Sequence, residues 1–536
     1  MKKKLFIKNI LLTSLAVVSL SGCSESVKDI VIIYTNDVHC GIDDHIGYAG
    51  IKAYKDELIK AGHSTLLVDI GDQVEGGLYG LLDEGESMIK LMNECGYDIS
   101  TVGNHEFDYG IEQFNKNVNS SNFPYVCCNY YEVGKDTPIL DPYKIFDIDG
   151  AKIAFLGITT PTVLSEGTPS NFQNSDGEFI YDFKQGEQGE LLYSTVQSYV
   201  NKIKEEGANY IIALSHLGEA DAEAPYRSTD VAEHTTGIDV FLDGHSHKVT
   251  DFKVKNKDDK DVIISQTGTK IENIGKLTIS SNGKIKAELI NDYTKKDKDV
   301  EKTINEIKEK VESLTTEVIG HSNYDLTINN NDKRAIRNEE TNLGDLVTDA
   351  IRNAANSDVA IINGGAIRES ITKGDITIGN ILTTLPFINY IAKIEITGQD
   401  IADFLEYSSY VCPSEFGGFL QVSNINFTID TNIATPVTID EYTGSFNPLT
   451  NDTIRRVKDI KIGNKDINLK GYYTLASNDY IALCGGNGYP NHIKDQMDVK
   501  DMMVYESLVN YIKDDLNGEI SEQYSNLSGE GRINII

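Results

Sequence analysis

One pattern recurs five times in the first half of this chain and constrains its fold more than any other feature. An apolar, strand-forming run ends each time in Asp, Asn or His. Ile30 to Tyr34 leads into Asn36-Asp37-Val38-His39, Leu66 to Ile70 into Gly71-Asp72, and Ile99 to Val102 into Gly103-Asn104-His105-Glu106. Tyr210 to Leu214 leads into Ser215-His216, and Val240 to Leu242 into Asp243-Gly244-His245-Ser246-His247. Such runs read as buried strands, and α/β sheets place their ligand crevices at the carboxyl ends of strands. A lone Asp or His after a strand is usually a cap or a satisfied turn residue. Five in order, with glycines where the backbone turns sharply, form a constellation. Its donors are hard oxygen and imidazole without thiolate, which suits Zn²⁺, Mn²⁺, Co²⁺ or Fe²⁺ and disfavours sulfur-loving metals.

The chain has 536 residues, too many for one core, so two or more domains are expected. Its net charge of −33 repels nucleic-acid polymers and anionic membrane surfaces and argues against both as partners. A small anionic substrate is still allowed if local cations reverse the sign inside a cleft. Arginine is scarce, so an Arg in a conspicuous loop carries weight. The seven cysteines show no CxxC spacing and no dense framework, and are read as buried thiols rather than a zinc ribbon or disulfide scaffold. No obligatory protein partner is indicated.

Three lysines within residues 1–4, an apolar run from Ile10 to Leu20, and Ser21-Gly22-Cys23 describe a signal peptide over 1–22, too short to span a bilayer. Leu20-Ser21-Gly22-Cys23 resembles a bacterial lipobox, which implies a lipid on Cys23. The membrane contact would then be the acyl chains alone, with the protein outside the cytoplasm as a lipoprotein on the bacterial cell membrane. Apolar runs alternate with helical patterns over 29–295. Residues 296–318 then read as one amphipathic linker helix, with Val300, Ile304, Ile307, Val311 and Leu314 at helical spacing. In the remaining domain, 319–536, helices are expected over Leu343 to Ala355 and Gly398 to Tyr410, and strands over Val359 to Ile362 and Tyr472 to Leu483.

The blocks Asp-x-His, Gly-Asp, Gly-Asn-His-Glu, a late His and Gly-His-x-His, in that order from Val31 to His247, resemble the calcineurin-like metallophosphoesterase signature. The resemblance implies an α/β fold: an N-terminal four-layer α-β-β-α sandwich with a separate C-terminal α/β substrate-binding domain. It also implies two divalent ions bridged by Asp72. Asp37, His39 and His247 complete one site, and Asn104, His216 and His245 the other. Such a pair shares a bridging hydroxide near neutral pH and neutralises phosphate oxygens. His105 is assigned to transition-state stabilisation and leaving-group protonation, with Asp108 as its orienter; the bland alternative for Asp108 is a helix N-cap.

Four further blocks are similar to the bacterial 5′-nucleotidase/UDP-sugar hydrolase family: Arg337 with Thr341-Asn342-Leu343-Gly344, Asn363-Gly364-Gly365-Ala366-Ile367-Arg368, Gly418-Phe419-Leu420-Gln421-Val422-Ser423, and Gly485-Gly486-Asn487-Gly488-Tyr489. By that resemblance Arg337 and Arg368 grip the substrate's anionic edge with Asn363 beside them, the guanidinium offering a bidentate fork that lysine lacks. Phe419 and Tyr489 sandwich the base, a stack of roughly 1–3 kcal/mol that tolerates different bases. Asp495 accepts from the ribose hydroxyls. The alternative for both aromatics is core packing. Two glutamates stand between Arg337 and Thr341 where a relative carries a further arginine, which favours monophosphates over diphosphates and UDP-sugars.

The implied activity is an extracytoplasmic, metal-dependent 5′-nucleotidase acting on small nucleotides. Rival readings are a 2′,3′-cyclic-nucleotide phosphodiesterase/3′-nucleotidase or UDP-sugar hydrolase of the same superfamily and, from another class, a nucleotide-binding transport lipoprotein.

Overall fold

The structure is a computed structural model describing residues 29–536 apart from 167–168, 175–177, 221–222, 331–332, 440–444, 448, 451–452 and 498–501. The expected leader and Cys23 lie outside the described residues.

Each apolar run of the opening pattern forms a strand: β1 (Ile30–Thr35), β2 (Ser64–Asp69), β3 (Ile99–Thr101), and, after β4 (Ala151–Thr159), β5 (Tyr210–His216) and β6 (Val240–Asp243). Strands β1, β2 and β3 pair in parallel within one six-stranded sheet. Strands β4, β5 and β6 pair in parallel within a second sheet of six. The registers Thr35↔Asp69, Asp69↔Ser100, Asp243↔Ser215 and Thr159↔His216 bring the strand ends of each sheet level.

The runs are continuous rather than alternating because both faces of each strand are covered. Ile32, Tyr34 and Val68 meet Phe155, Ile212 and Leu242 between the sheets, and Tyr34 bonds Ser265 Oγ across the gap at 2.6 Å. The outer face of the first sheet packs on helices Gly47–Lys60 and Glu86–Cys95, that of the second on Glu190–Glu205 and Ser228–His234. Four layers, α-β-β-α, result.

The amphipathic segment after the sandwich is a helix over Lys298–Thr315, slightly shorter than 296–318 because Asp297 caps it by accepting from the Asp299 and Val300 N–H groups. Val318 already belongs to a strand, Val318–Ser322. Val300, Ile304 and Ile307 of the helix lie in the core of the first sheet's outer face.

The C-terminal region is also α/β. Its five-stranded sheet runs Leu420–Ser423, Val359–Asn363, Tyr472–Asn478, Ile391–Thr397, Gln496–Met497, with helix Asn342–Ala355 against it, beside a separate four-stranded sheet. The strand expected over Tyr472 to Leu483 stops at Asn478, whose side chain accepts from Ile481 N and starts the short helix Asp479–Ala482. Cys40, Cys95, Cys127, Cys128 and Cys412 are buried free thiols.

Buried charge ties the C-terminal strand Ile533–Ile535 to this domain. Arg532 is 6% exposed and donates to Asp349 Oδ2 and the Val422 carbonyl, both at 2.7 Å, and to Glu530 at 2.8 Å. Glu340 accepts from Gly531 N and Ile533 N, which fixes the chain just after Arg337. Removing one member of such a network strands the others' charge in the interior. Arg532→Ala is therefore expected to destabilise the domain by about 3–5 kcal/mol, read from urea unfolding by circular dichroism; a loss under about 1 kcal/mol would show that the network is incidental.

Candidate active site

At the carboxyl ends of the two parallel strand sets the backbone turns sharply, and the side chains of the opening pattern converge. Asp37, His39, Asp72, His245 and His247 all adopt left-handed φ values between 43° and 72°. That region is costly for residues with a Cβ and clusters at functional sites. The loops hold one another: Asp37 N donates to Gly71 O, His39 N to Asp72 O, and His245 N to both carboxylate oxygens of Asp37. Gly103 leaves the room this requires, since a Cβ there would stand 2.1 Å from Asp72 Oδ1 and 2.8 Å from His216 Cε1.

Two trios result, Asp37 with His39 and His247, and Asp72 with His216 and His245, the ligand atoms of each within 4.8 Å of one another. Asn104 joins the second, its Oδ1 2.9 Å from His245 Nδ1. Asp72 lies between them, its Oδ2 3.1 Å from His216 Nε2 and 3.7 Å from His39 Nε2.

A divalent cation fits this donor set. His216 places Nδ1 2.7 Å from the Ile70 carbonyl, while its buried Nε2 has no hydrogen-bond partner among the described residues and faces Asp72. His39 likewise has Nδ1 on the Glu75 carbonyl, and its Nε2 stands 3.0 Å from His247 Nε2. Burial pushes His39 down to about 4, so it is neutral and its Nε2 lone pair is available. Burial also disfavours a charged His216, yet Asp72 and then Asp37 push it up to about 10. That is the response of an imidazole to uncompensated carboxylates, and a cation in the same space would answer it instead of a proton.

His105 stands at the edge of this cluster with Nδ1 2.6 Å from Asp108 Oδ2 and 3.5 Å from Glu75 Oε2. Burial opposes its protonation, but Asp108, Asp72 and Glu75 outweigh burial and hold it well above the ordinary range. The helix after it, Gly110–Ser120, starts from Tyr109 without a side-chain cap bond.

Two adjoining cavities open here. One, of about 510 Å³, is lined by His39, His105 and His247 on the sandwich side and by Arg334, Arg337 and Arg368 opposite. The other, of about 470 Å³, runs on to Asn363, Phe387, Asn478, Tyr480 and Asn487. Arg337 is pushed down to about 10 by burial and then by neighbouring Arg368. Gln421 fixes the Arg337 loop, its amide donating to Ile336 O and Glu339 O. Asn363 bonds Asn478 and Asn487 through its amide.

Three expected residues stand elsewhere. Phe419 and Tyr489 are each 1% exposed and belong to the domain core. The Tyr489 hydroxyl donates to Gly418 O at 2.7 Å, and its ring packs edge-on against Tyr407 and Phe404. Neither ring reaches the cavity wall, where Tyr480 and Phe387 stand instead. Asp495 does not line the cavity; its Oδ2 lies 2.9 Å from His492 Nδ1.

Sequence reasoning also passed over the buried carboxylates that support the ligand loops. Glu106 accepts from Asp72 N at 2.9 Å and Gln73 N at 3.0 Å, and Asp243 from Leu217 N, Gly218 N and the Gln266 amide. Both lie inside the quoted motifs, and that position was the available signal. Glu75, on the wall of both cavities, had no such signal.

The fold and this site define a two-domain phosphoesterase of the calcineurin-like class. Residues 30–249 match the family described as calcineurin-like phosphoesterase, and residues 318–494 the 5′-nucleotidase C-terminal domain. The chain belongs to the 5′-nucleotidase family and is a phosphoric-ester hydrolase. It is 27% identical to a 5′-nucleotidase of Vibrio cholerae, over 91% of this chain and 92% of that protein. It is also 27% identical to the trifunctional nucleotide phosphoesterase YfkN of Bacillus subtilis, covering 87% of this chain but 32% of that longer protein. The crystal structure of a 5′-nucleotidase precursor from Thermus thermophilus shares the fold at a TM-score of 0.71 and 24% identity, covering 95% of this chain and 99% of that one.

Gly103→Ala is expected to turn Asp72 aside and cut bound transition metal to less than half of the wild-type content, measured by elemental analysis. Wild-type metal content in that variant would show that the cradle does not hold the cation.

Proposed function

We propose that the protein hydrolyses nucleoside 5′-monophosphates to nucleoside and phosphate outside the cytoplasm, held at the membrane by a lipid on Cys23. The observation that supports this best is the joined pair of cavities: a cluster of carboxylates and imidazoles lines one end, amides and aromatic rings line the other, and His105 stands between.

Asp37, His39 and His247 would hold one divalent ion and Asn104, His216 and His245 a second, with Asp72 shared. Such ions neutralise phosphate oxygens and acidify a water. The chain's own groups do the rest. Arg337 and Arg368 orient the phosphate with planar donor pairs. Asp108 fixes the His105 ring, whose other nitrogen is placed to protonate the departing ester oxygen. Asn363, Asn487 and Tyr480 offer the nucleoside amide and phenol groups beside an aromatic face.

The deciding assay is phosphate release by the metal-loaded protein from 5′-AMP, 3′-AMP and cyclic 2′,3′-AMP. Release from 5′-AMP is expected, and His105→Ala should lower its kcat by about 10²–10⁴. Turnover of the cyclic ester without 5′-AMP would replace this substrate assignment with the cyclic phosphodiesterase; metal-free protein that binds nucleotide without turnover would replace it with a binding lipoprotein. For the anchor, wild type but not Cys23→Ala should partition into detergent, and equal partition of both would remove it.

A further inference from the structure

Among the described residues, Glu75 is the one acidic side chain on the wall of both cavities. It is 4% exposed, and its Oε1 is buried without a hydrogen-bond partner among the described residues. The nearby imidazole donors are committed elsewhere: His39 Nδ1 to the Glu75 main-chain carbonyl and His105 Nδ1 to Asp108. A buried carboxylate oxygen left unpaired is costly, and its position gives it a use. With His105, Arg337, Arg368 and Phe387 it lines both cavities, so these five residues form the waist through which a bound substrate must pass.

From this geometry we infer that Glu75 is a specificity-determining residue that selects substrates carrying a single phosphoryl group. The inference rests on the nucleotidase reading above. When the terminal phosphoryl sits at the carboxylate–imidazole cluster, the atoms next along the substrate occupy the waist. In a monophosphate these are the ester oxygen and a sugar carbon, which are neutral. In a diphosphate they are the bridging oxygen and a second, anionic phosphoryl group. The bond changes are the same for both: a water oxygen bonds to phosphorus, the bond from phosphorus to the ester or anhydride oxygen breaks, and that oxygen leaves with the electron pair and takes up a proton. Only the group beyond that oxygen differs, and Glu75 presents it with a like charge in a poorly screened place. Arg337 and Arg368 attract any phosphoryl group and cannot discriminate alone; a fixed repulsive element supplies the difference.

The test compares kcat/KM for the first phosphate released from adenosine 5′-monophosphate and 5′-diphosphate at pH 8. It uses the full metal-loaded chain and the variants Glu75→Gln, Glu75→Asp and Glu75→Ser, each checked for metal content and thermal midpoint. The diphosphate-to-monophosphate ratio is expected to rise roughly tenfold or more in the Gln and Ser variants and to stay within about threefold of wild type in the Asp variant, which keeps the charge. If Gln loses metal or fold, the Asp and Ser pair decides in the same way. A ratio within about twofold of wild type in the neutral variants overturns the inference, as does equal loss on both substrates in a variant that keeps its metal. Wild type inactive on the monophosphate refutes the nucleotidase reading instead.

Discussion

The site is built on an electrostatic conflict: two buried carboxylates, Asp37 and Asp72, face the same small space as Nε2 of His39 and of His216. Both carboxylates are buried, and neither side can satisfy the other fully. Asp72 stays well below the ordinary carboxylate range although burial raises it, because His216, His105 and His39 surround it. A group of this kind persists only where the scaffold enforces it, and here the enforcement is visible. Two six-stranded sheets end level at one edge, their ends bend through left-handed residues, and Glu106 and Asp243 bind the bent backbones through their N–H groups. The strain is local, and the packed interior between the sheets absorbs it.

How much of this could be read in advance depended on whether a residue's task is written in its own neighbourhood. The residues that converge at the site were legible because each follows an apolar run and precedes a sharp turn, a local signature of strand ends. The linker helix was legible from Val300, Ile304 and Ile307, and its true start was set by Asp297, a cap one residue inside the expected boundary. Glu106 and Asp243 sit in the same motifs, yet their work is to accept backbone N–H groups from other loops, a relation that appears only in three dimensions. The placement of Tyr489 was hidden for a related reason. Its ring and the Phe419 ring sit in glycine-rich stretches where a base clamp and core packing were both open, and the Tyr489 phenol finds a carbonyl at Gly418 inside the core. An aromatic residue's type does not say which side of a turn it packs against. The run from Tyr472 carries strand character past Asn478, and only that residue's capping bond shows where the strand must yield.

Charge also separates the molecule into scales. The chain as a whole is strongly anionic, at −33, and a nucleotide approaching it at long range is repelled. Within the cleft the order reverses: of the eight arginines in the sequence, three line the cavity that the cluster suited to cations also lines. At physiological ionic strength the interaction between exposed charges falls off over about 8 Å, so the short-range arrangement governs binding once the substrate is inside.

Arg337 and Arg368 come from separate loops, each tied to its own support. Gln421 holds the first through the backbone around it, and the second leans toward the Phe387 ring, 5.6 Å from the guanidinium carbon to the ring centroid. Two guanidiniums side by side repel each other, which is part of why Arg337 is pushed down; such a pair gains most when an anion arrives between its members. The metal-type cluster has the opposite character, a surplus of oxygen donors that gains most from cations. A phosphate ester with cations on one side and guanidiniums on the other satisfies both halves at once, which neither half achieves for itself. The two domains are therefore complementary through the substrate they would share rather than through direct pairing of their charges.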